Sequence, residues 1–264
     1  MSWVTPLFNI SWRSIKVWQR DAEVLWATWF LNLLPPLLEP ILYVLAFGFG
    51  IGSLIHEVHY LGKEFSYLSF MAPGVVSVAI MFWAFFETTY SSFVRMYYQK
   101  TFDAILATPL LVEDVIAGEW LWGASKAVMA SGIMLVMLSL FGLVNWPEGL
   151  WVVAISIVGG LLFSAIGLIT TALCPRIEMF NLPIFLVIFP MFLFSGTFFP
   201  INVLPTLAEK VAYLLPLTHI SFLVRGACLS TWPSFWILNV SYLVVTTLIA
   251  SWLALVLMKR RLVK

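Results

Sequence analysis

Charge is scarce in this sequence: Asp, Glu, Lys and Arg together make up 10% of its 264 residues, while 62% are apolar. A soluble domain carries about 25% charged residues, so water is excluded as the chain's main solvent. Metal and hydrolytic chemistry find little to work with. Cys occurs twice and His three times, and there is no paired-cysteine metal pattern, no phosphate loop of the Walker type and no Gly-x-Ser-x-Gly elbow. The chain is therefore not expected to be an enzyme or to hydrolyse ATP itself. His56 and His59 flank Glu57, but a zinc-protease helix needs the Glu beside the first His and the second His four positions on, so no metal is expected. The few Lys and Arg residues fall in gaps between apolar runs and form no basic face, which excludes nucleic acid as a partner.

What is abundant is long apolar sequence. A bilayer core takes about 20 apolar residues per helix, and runs of that length recur from Thr28 to Leu54, Leu68 to Val94, Val115 to Val144, Leu150 to Leu173, Leu182 to Phe199 and Phe235 to Met258. The mean hydropathy of +0.99 agrees with this pattern. The expected fold is all-α and polytopic, with six transmembrane helices and both termini on one side. Placing the termini in the cytosol puts every Lys and Arg there except Lys63, Lys210 and Arg225, including Lys259, Arg260, Arg261 and Lys264 at the C-terminal end. That distribution satisfies the positive-inside rule. No charged stretch, apolar core and small-residue cleavage site opens the chain, so the first span is expected to direct insertion. Cys174 and Cys228 fall on opposite sides of the membrane and are not expected to pair.

Ahead of the first run, Phe8, Trp12, Ile15, Trp18 and Ala22 share one helical face, and Arg13, Lys16 and Arg20 share another. Residues 1–27 thus read as a cytosolic amphipathic helix, either lying in the membrane interface or packing its aromatics on the bundle. Residues 28–264 form the membrane domain. Between the fifth and sixth runs, Pro200 to Pro233 is too polar to cross and too apolar for a solvated loop, with Leu204, Leu207, Val211, Leu214 and Leu215 in helical register. An external re-entrant helical hairpin fits it, capping either a translocation path or simply the bundle. No internal repeat of the kind found in inverted-repeat secondary transporters is present.

Four ionisable residues sit inside apolar runs: Glu39, Glu87, Glu119 and Lys126. A charge left at mid-bilayer costs about 3 kcal/mol by insertion scales, so each should face a partner or a cavity. Glu119 and Lys126 lie seven positions apart on one face of the third run, and an ion pair of Lys126 with Glu87 or Glu119 is the structural expectation. Glu39 stands among Pro35, Pro36 and Pro40, which allow a bend. Between the second and third runs, the stretch Tyr97 to Asp114 carries an apolar ridge of Phe102, Ile105, Leu106 and Leu110. It is either a connecting helix or one that docks into a groove on a cytosolic partner.

The C-terminal third contains Gly196, Pro205, Pro216-Leu217-Thr218-His219 and Arg225, a pattern that resembles the permeases of type-two ABC exporters. Phe86-Glu87-Thr88, Tyr90, Phe93, Arg95-Met96, Gln99, Thr101, Ala104, Leu106, Gly118-Glu119, Trp122 and Lys126-Ala127 are similar to the branch of that family that exports rhizobial lipo-oligosaccharide nodulation factors. The resemblance spans nearly the whole chain. It implies a homodimer in the bacterial inner membrane, working with two copies of a separate ATPase subunit that binds ATP and Mg. It also implies that Lys100, Thr101, Phe102, Asp103, Ile105, Leu106 and Leu110 form the coupling helix on that ATPase, and that the Gly196-to-Arg225 motif builds the external hairpin. Trp29, Phe30, Phe82, Phe85 and Phe86, nearest the dimer seam in such a fold, become candidates to line the substrate path. A lipo-oligosaccharide or related glycolipid is then the expected cargo. A hydrophobic drug is the alternative, and an ion-coupled carrier using Glu39 is the rival outside the family.

Overall fold

The computed structural model describes residues 10–55 and 57–263; Phe8, His56 and Lys264, used above, lie outside the described residues. The chain is helical almost throughout. A first helix, α1 (Ser14–Ala27), leads into α2 (Trp29–Ser53) through a break at Thr28, whose amide still reaches the Val24 and Leu25 carbonyls. Then follow α3 (Tyr67–Tyr98), the six-residue α4 (Thr101–Leu106), α5 (Val112–Leu140), α6 (Glu148–Leu173), α7 (Ile177–Phe194), α8 (Thr206–Ala212), α9 (Pro216–Leu229) and α10 (Trp236–Leu262). Six of them, α2, α3, α5, α6, α7 and α10, are long and apolar enough to cross a membrane, the number the apolar runs imply.

The spans divide into a packed centre and an exposed periphery. In α3, 78% of the most apolar stretch is buried, against 17% in α2 and 22% in α7. Glycine sets how closely the centre packs: a Cβ on Gly123 of α5 would meet Thr88 Cγ2 of α3 at 2.5 Å and Ser164 Oγ of α6 at 2.6 Å. Such close backbone approach is how membrane helices gain packing without a hydrophobic driving force between them.

One end of the bundle carries α1 and α4. Here α1 lies against α5, where a Cβ on Gly118 would stand 2.5 Å from Val17 Cβ. The helix docks through Ser14, Val17, Asp21 and Leu25, whereas Trp12 and Ile15 of the aromatic face are exposed. At the opposite end, β1 (Glu57–Tyr60) and β2 (Lys63–Ser66) form an antiparallel hairpin between α2 and α3. Leu61 and Gly62 turn it with positive φ, the conformation a two-residue hairpin turn needs. The same end holds α8 and α9, which meet at an 80° bend and occupy the segment between Pro200 and Pro233.

Candidate functional site

The intramembrane charges gather at the α1 end of the bundle. After Phe86 the coil of α3 widens into two π-helical stretches, Glu87–Ser91 and Val94–Tyr98, a local distortion common at functional sites. From this segment Arg95 donates to Glu87 Oε1 at 2.8 Å and, with Nε and Nη2, to the Glu119 carboxylate of α5 at 2.5 to 3.2 Å. Trp122, one turn beyond Glu119, donates to Glu87 Oε1 at 2.9 Å. Lys126 lies a further turn along, with Nζ 3.9 Å from Glu87 Oε2 and 2.5 Å from Asn32 Oδ1 of α2. Ionic side chains this deeply buried persist only when paired, and the fork of Arg95 supplies the planar geometry two carboxylates need.

Asp21 of α1 faces the same cluster. It is 3% exposed; Arg20 donates to its Oδ1 at 2.9 Å, and its Oδ2 has no hydrogen-bond partner among the described residues. Burial foremost, then the neighbouring Glu119, push this carboxyl up to about 7, with Arg95 and Arg20 opposing the shift. Between α1, α2, α3 and α5 lies a cavity of about 380 Å³, lined by Arg20, Asp21, Val24, Thr28, Asn32, Glu87, Tyr90, Ser91, Arg95, Gln99, Trp122 and Lys126 among others. A second, apolar groove of about 620 Å³ runs between α6, α9 and α10 at the hairpin end, with Trp151, Trp232, Trp236, Val240 and a single ionisable residue, Glu148, on its walls.

Of the residues singled out in the sequence, Glu87, Glu119 and Lys126 thus meet in one cluster, with Glu87 as the partner of Lys126 and Arg95 as that of Glu119. Glu39 stands apart, half-buried on α2 and 3.5 Å from Trp83 Nε1. Sequence reasoning missed Arg95, Asp21 and Asn32. Arg95 had a signal, standing eight positions after Glu87 on the same helical face, but it reads equally well as a cytosolic anchor.

The α4 segment alters one expectation. Phe102 is fully buried and belongs to the hydrophobic core, so it is not part of an exposed ridge; Ile105, Leu106 and Leu110 are half-buried, and Asp103 and Ala104 are exposed. Lys100, with φ of 56°, and Thr101 open the helix, and Lys100 reaches Asp103 at 3.7 Å. The following loop is tied to α1, because Arg13 donates to the Pro109 carbonyl at 2.5 Å and the Ser11 amide to Asp114 Oδ1 at 2.7 Å. Asp114 Oδ2 also accepts the Leu111 amide, capping α5.

Among the path candidates, Trp29 and Phe30 are exposed on α2, and Phe82 stacks on Phe86 with ring centroids 5.4 Å apart. Phe85 is fully buried inside the bundle, because α3 is the central helix and buries residues on every side. At the hairpin end, Arg225 is 1% exposed and binds the carbonyls of Phe70 at 3.1 Å and Gly196 at 2.8 Å while lying over the Phe70 ring. Gly196 takes a φ of 69°, Pro205 precedes α8 and Pro216 opens α9. His219 spans Asn239 Oδ1 at 2.9 Å and the Tyr213 carbonyl at 3.0 Å.

Six apolar spans around a buried charge cluster define a multi-pass α-helical membrane protein. Residues 15–229 match the ABC-2 type transporter family, and the chain belongs to it as a transmembrane permease. It is 32% identical to nodulation protein J of Sinorhizobium fredii over 251 residues, covering 95% of this chain and 94% of that one. With nodulation protein J of Rhizobium leguminosarum bv. trifolii the identity is 33% over 261 residues, covering 99% and 98%. The inner membrane transport permease YadH of Escherichia coli is 27% identical over 216 residues, covering 81% and 82%.

Proposed function

We propose that two copies of this permease assemble with two ATPase subunits in the bacterial inner membrane and export an amphipathic molecule with a saccharide head. Both termini face the cytosol in this reading. The observation that carries it is the linkage of α4 to the membrane cluster. The loop after α4 is bonded to α1 through Arg13 and Pro109, Asp114 joins α1 to the start of α5, and α5 carries Glu119 and Lys126. A push on α4 by a nucleotide-driven partner therefore reaches the charge cluster through short, bonded segments rather than through a flexible loop. The exposed apolar surfaces of α2 and α7, which include Trp29 and Phe30, supply the seam between two copies. The resemblance of the sequence to exporters of rhizobial lipo-oligosaccharides favours such a molecule as the cargo, and relatives named nodulation protein J agree with that resemblance.

The test is purification of the tagged chain in mild detergent after expression with its chromosomal neighbours, followed by an ATPase assay with and without added lipo-oligosaccharide. Co-purification of a nucleotide-binding subunit whose hydrolysis responds to the glycolipid supports the reading. A chain recovered without any ATPase, and transport in vesicles driven by an ion gradient alone, would overturn it.

A further inference from the structure

The last turn of α10 carries Lys259, Arg260 and Arg261. By charge distribution alone, cations at that end of a span serve as anchors at the cytosolic membrane surface. The structure turns Arg261 inward instead. Its Nη1 donates to the carbonyls of Thr171 and, at 2.6 Å, Cys174, and its Nη2 donates to Tyr97 Oη at 3.1 Å. Both carbonyls stand at the C-terminal end of α6, where the last carbonyls of a helix lack intrahelical donors. The guanidinium also lies over the rings of Phe93 and Tyr97, 5.6 and 5.1 Å from their centroids. Lys259 fixes the same turn of α10 to α5, with Nζ 2.5 Å from Oε1 of the buried Glu113.

What Arg261 grips is the irregular end of α3. Tyr97 belongs to the second π-helical stretch, Val94–Tyr98, and Phe93 immediately precedes it. The first stretch, Glu87–Ser91, is reached through the fully buried Thr171, whose hydroxyl donates to the Thr88 carbonyl at 2.8 Å. A Cβ on Gly167, one turn earlier in α6, would stand 2.9 Å from the Phe85 carbonyl oxygen, so the backbone of α6 is pressed against the start of this stretch. A π turn closes its hydrogen bonds over five residues and an α turn over four. Converting one into the other therefore rotates everything beyond it by one residue step, about 100°. Arg95, which holds Glu87 and Glu119, lies beyond the first stretch, and α4 lies beyond both, separated from α3 by Gln99 and Lys100. A displacement of α4 thus loads this segment before it reaches Arg95.

We propose that Arg261 is a positioning residue for energy coupling. Bonded to the end of α6 and seated on Phe93 and Tyr97, it holds the π-helical end of α3 in one coil, so that displacement of α4 moves Arg95 instead of being absorbed by a change of helix type. The inference rests on the export reading, and it adds α6 and α10 to the route through α1 and α5 from α4 to the charge cluster.

The experiment is hydrogen exchange, read by mass spectrometry, on the full-length permease in nanodiscs, alone and with its co-purified ATPase. The complex is measured free of nucleotide and again trapped with ATP, Mg and vanadate. In the wild type we expect trapping to change exchange across residues 87–98. Arg261→Met should accelerate exchange in that segment of the permease alone by about tenfold, the order expected for losing a hydrogen bond to a charged group. In the complex it should abolish the response to trapping while ATP hydrolysis persists. Arg261→Lys should rescue neither, because an ammonium cannot cap two carbonyls, meet the phenol and stack on two rings at once. Thr171→Val keeps the side-chain shape and deletes only the hydroxyl bonded to Thr88, so it should fold normally and still blunt the response. A wild-type complex that shows no change at residues 87–98, a normal response in Arg261→Met, or rescue by Arg261→Lys would each overturn the proposal. Exchange raised evenly over the whole bundle in Arg261→Met would also overturn it, by making Arg261 a stabilising contact only. Absence of an ATPase from the wild-type preparation would instead bring down the export reading, with the comparison on the permease alone still deciding whether Arg261 holds α3.

Discussion

Arg95 Nη2 lies 2.5 Å from Glu119 Oε2, and through this contact the π-helical end of α3 is fastened to α5 inside the apolar bundle. Arg95 also holds Glu87, so two carboxylates depend on one guanidinium. Removing it strands both. We expect Arg95→Met to destabilise the fold by about 3–5 kcal/mol, the usual result of breaking a buried pair from one side. Arg95→Lys should restore little, because an ammonium cannot bridge two carboxylates in one plane. The double variant Arg95→Met with Glu119→Leu should recover part of the loss, leaving Glu87 to Lys126 and Trp122. Thermal unfolding in detergent measures all three.

Asp21 makes stability depend on pH in the unusual direction for an acid. Its carboxyl is raised to about 7 by burial and by Glu119 and Glu87, against the pull of Arg95 and Arg20. A raised folded value means that the native state holds the proton more tightly than the unfolded chain does. The stabilisation from Asp21 is therefore complete below its ordinary value of 3.8 and is lost as pH rises through about 7. We expect the melting temperature to fall between pH 5.5 and 8 in the wild type and to fall less in Asp21→Asn. An equal fall in the variant would show that Asp21 does not change its protonation over this range.

Much of this architecture can be read from the sequence, and the unread parts have a common cause. The spans are visible because a bilayer demands uninterrupted apolar length, and Glu87, Glu119 and Lys126 are conspicuous because the same length makes them exceptions. Asp21 is hidden for the opposite reason. It lies among Arg20, Glu23 and other polar residues of α1, where an acid excites no suspicion, yet its spacing from Val17 and Leu25 puts it on the docking face. That face could not be chosen from amphipathicity alone, since Trp12 and Ile15 of the aromatic face are exposed while Trp18 packs on Trp122 of α5 and donates to Ser125. Phe102 shows the converse limit: a ridge of apolar residues gives the periodicity but not which side meets protein.

The seat of α1 can be tested at Gly118. A side chain there runs into Val17 Cβ and Cγ1 and the Ser14 carbonyl at 2.5 to 2.9 Å, none of which is the free end of a long side chain. Gly118→Val should therefore lift α1 from α5 at a cost of about 1–3 kcal/mol. Hydrogen exchange should accelerate across Ser14–Ala27 while the centre of α3 stays protected, and Gly118→Ala should show the same effect more weakly. Unchanged exchange in α1 would mean that the helix has another anchor.

The coupling assignment is best tested at Asp103 rather than at its neighbour. Phe102 is fully buried, so Phe102→Asp places a carboxylate in the core, and loss of a partner in that variant would report misfolding as readily as lost docking. Asp103 is exposed on α4, and its ionic contact with Lys100 at 3.7 Å is a surface pair of small energetic weight. Reversing its charge with Asp103→Arg leaves the bundle intact while presenting the wrong sign to any docking groove, a change that acts chiefly on association. We expect normal membrane insertion and melting, with recovery of the co-purifying ATPase reduced by about fivefold or more, equivalent to roughly 1 kcal/mol of docking energy. Full recovery of the ATPase with Asp103→Arg would move the docking surface elsewhere, to the exposed Ala107–Pro109 turn that Arg13 holds against α1.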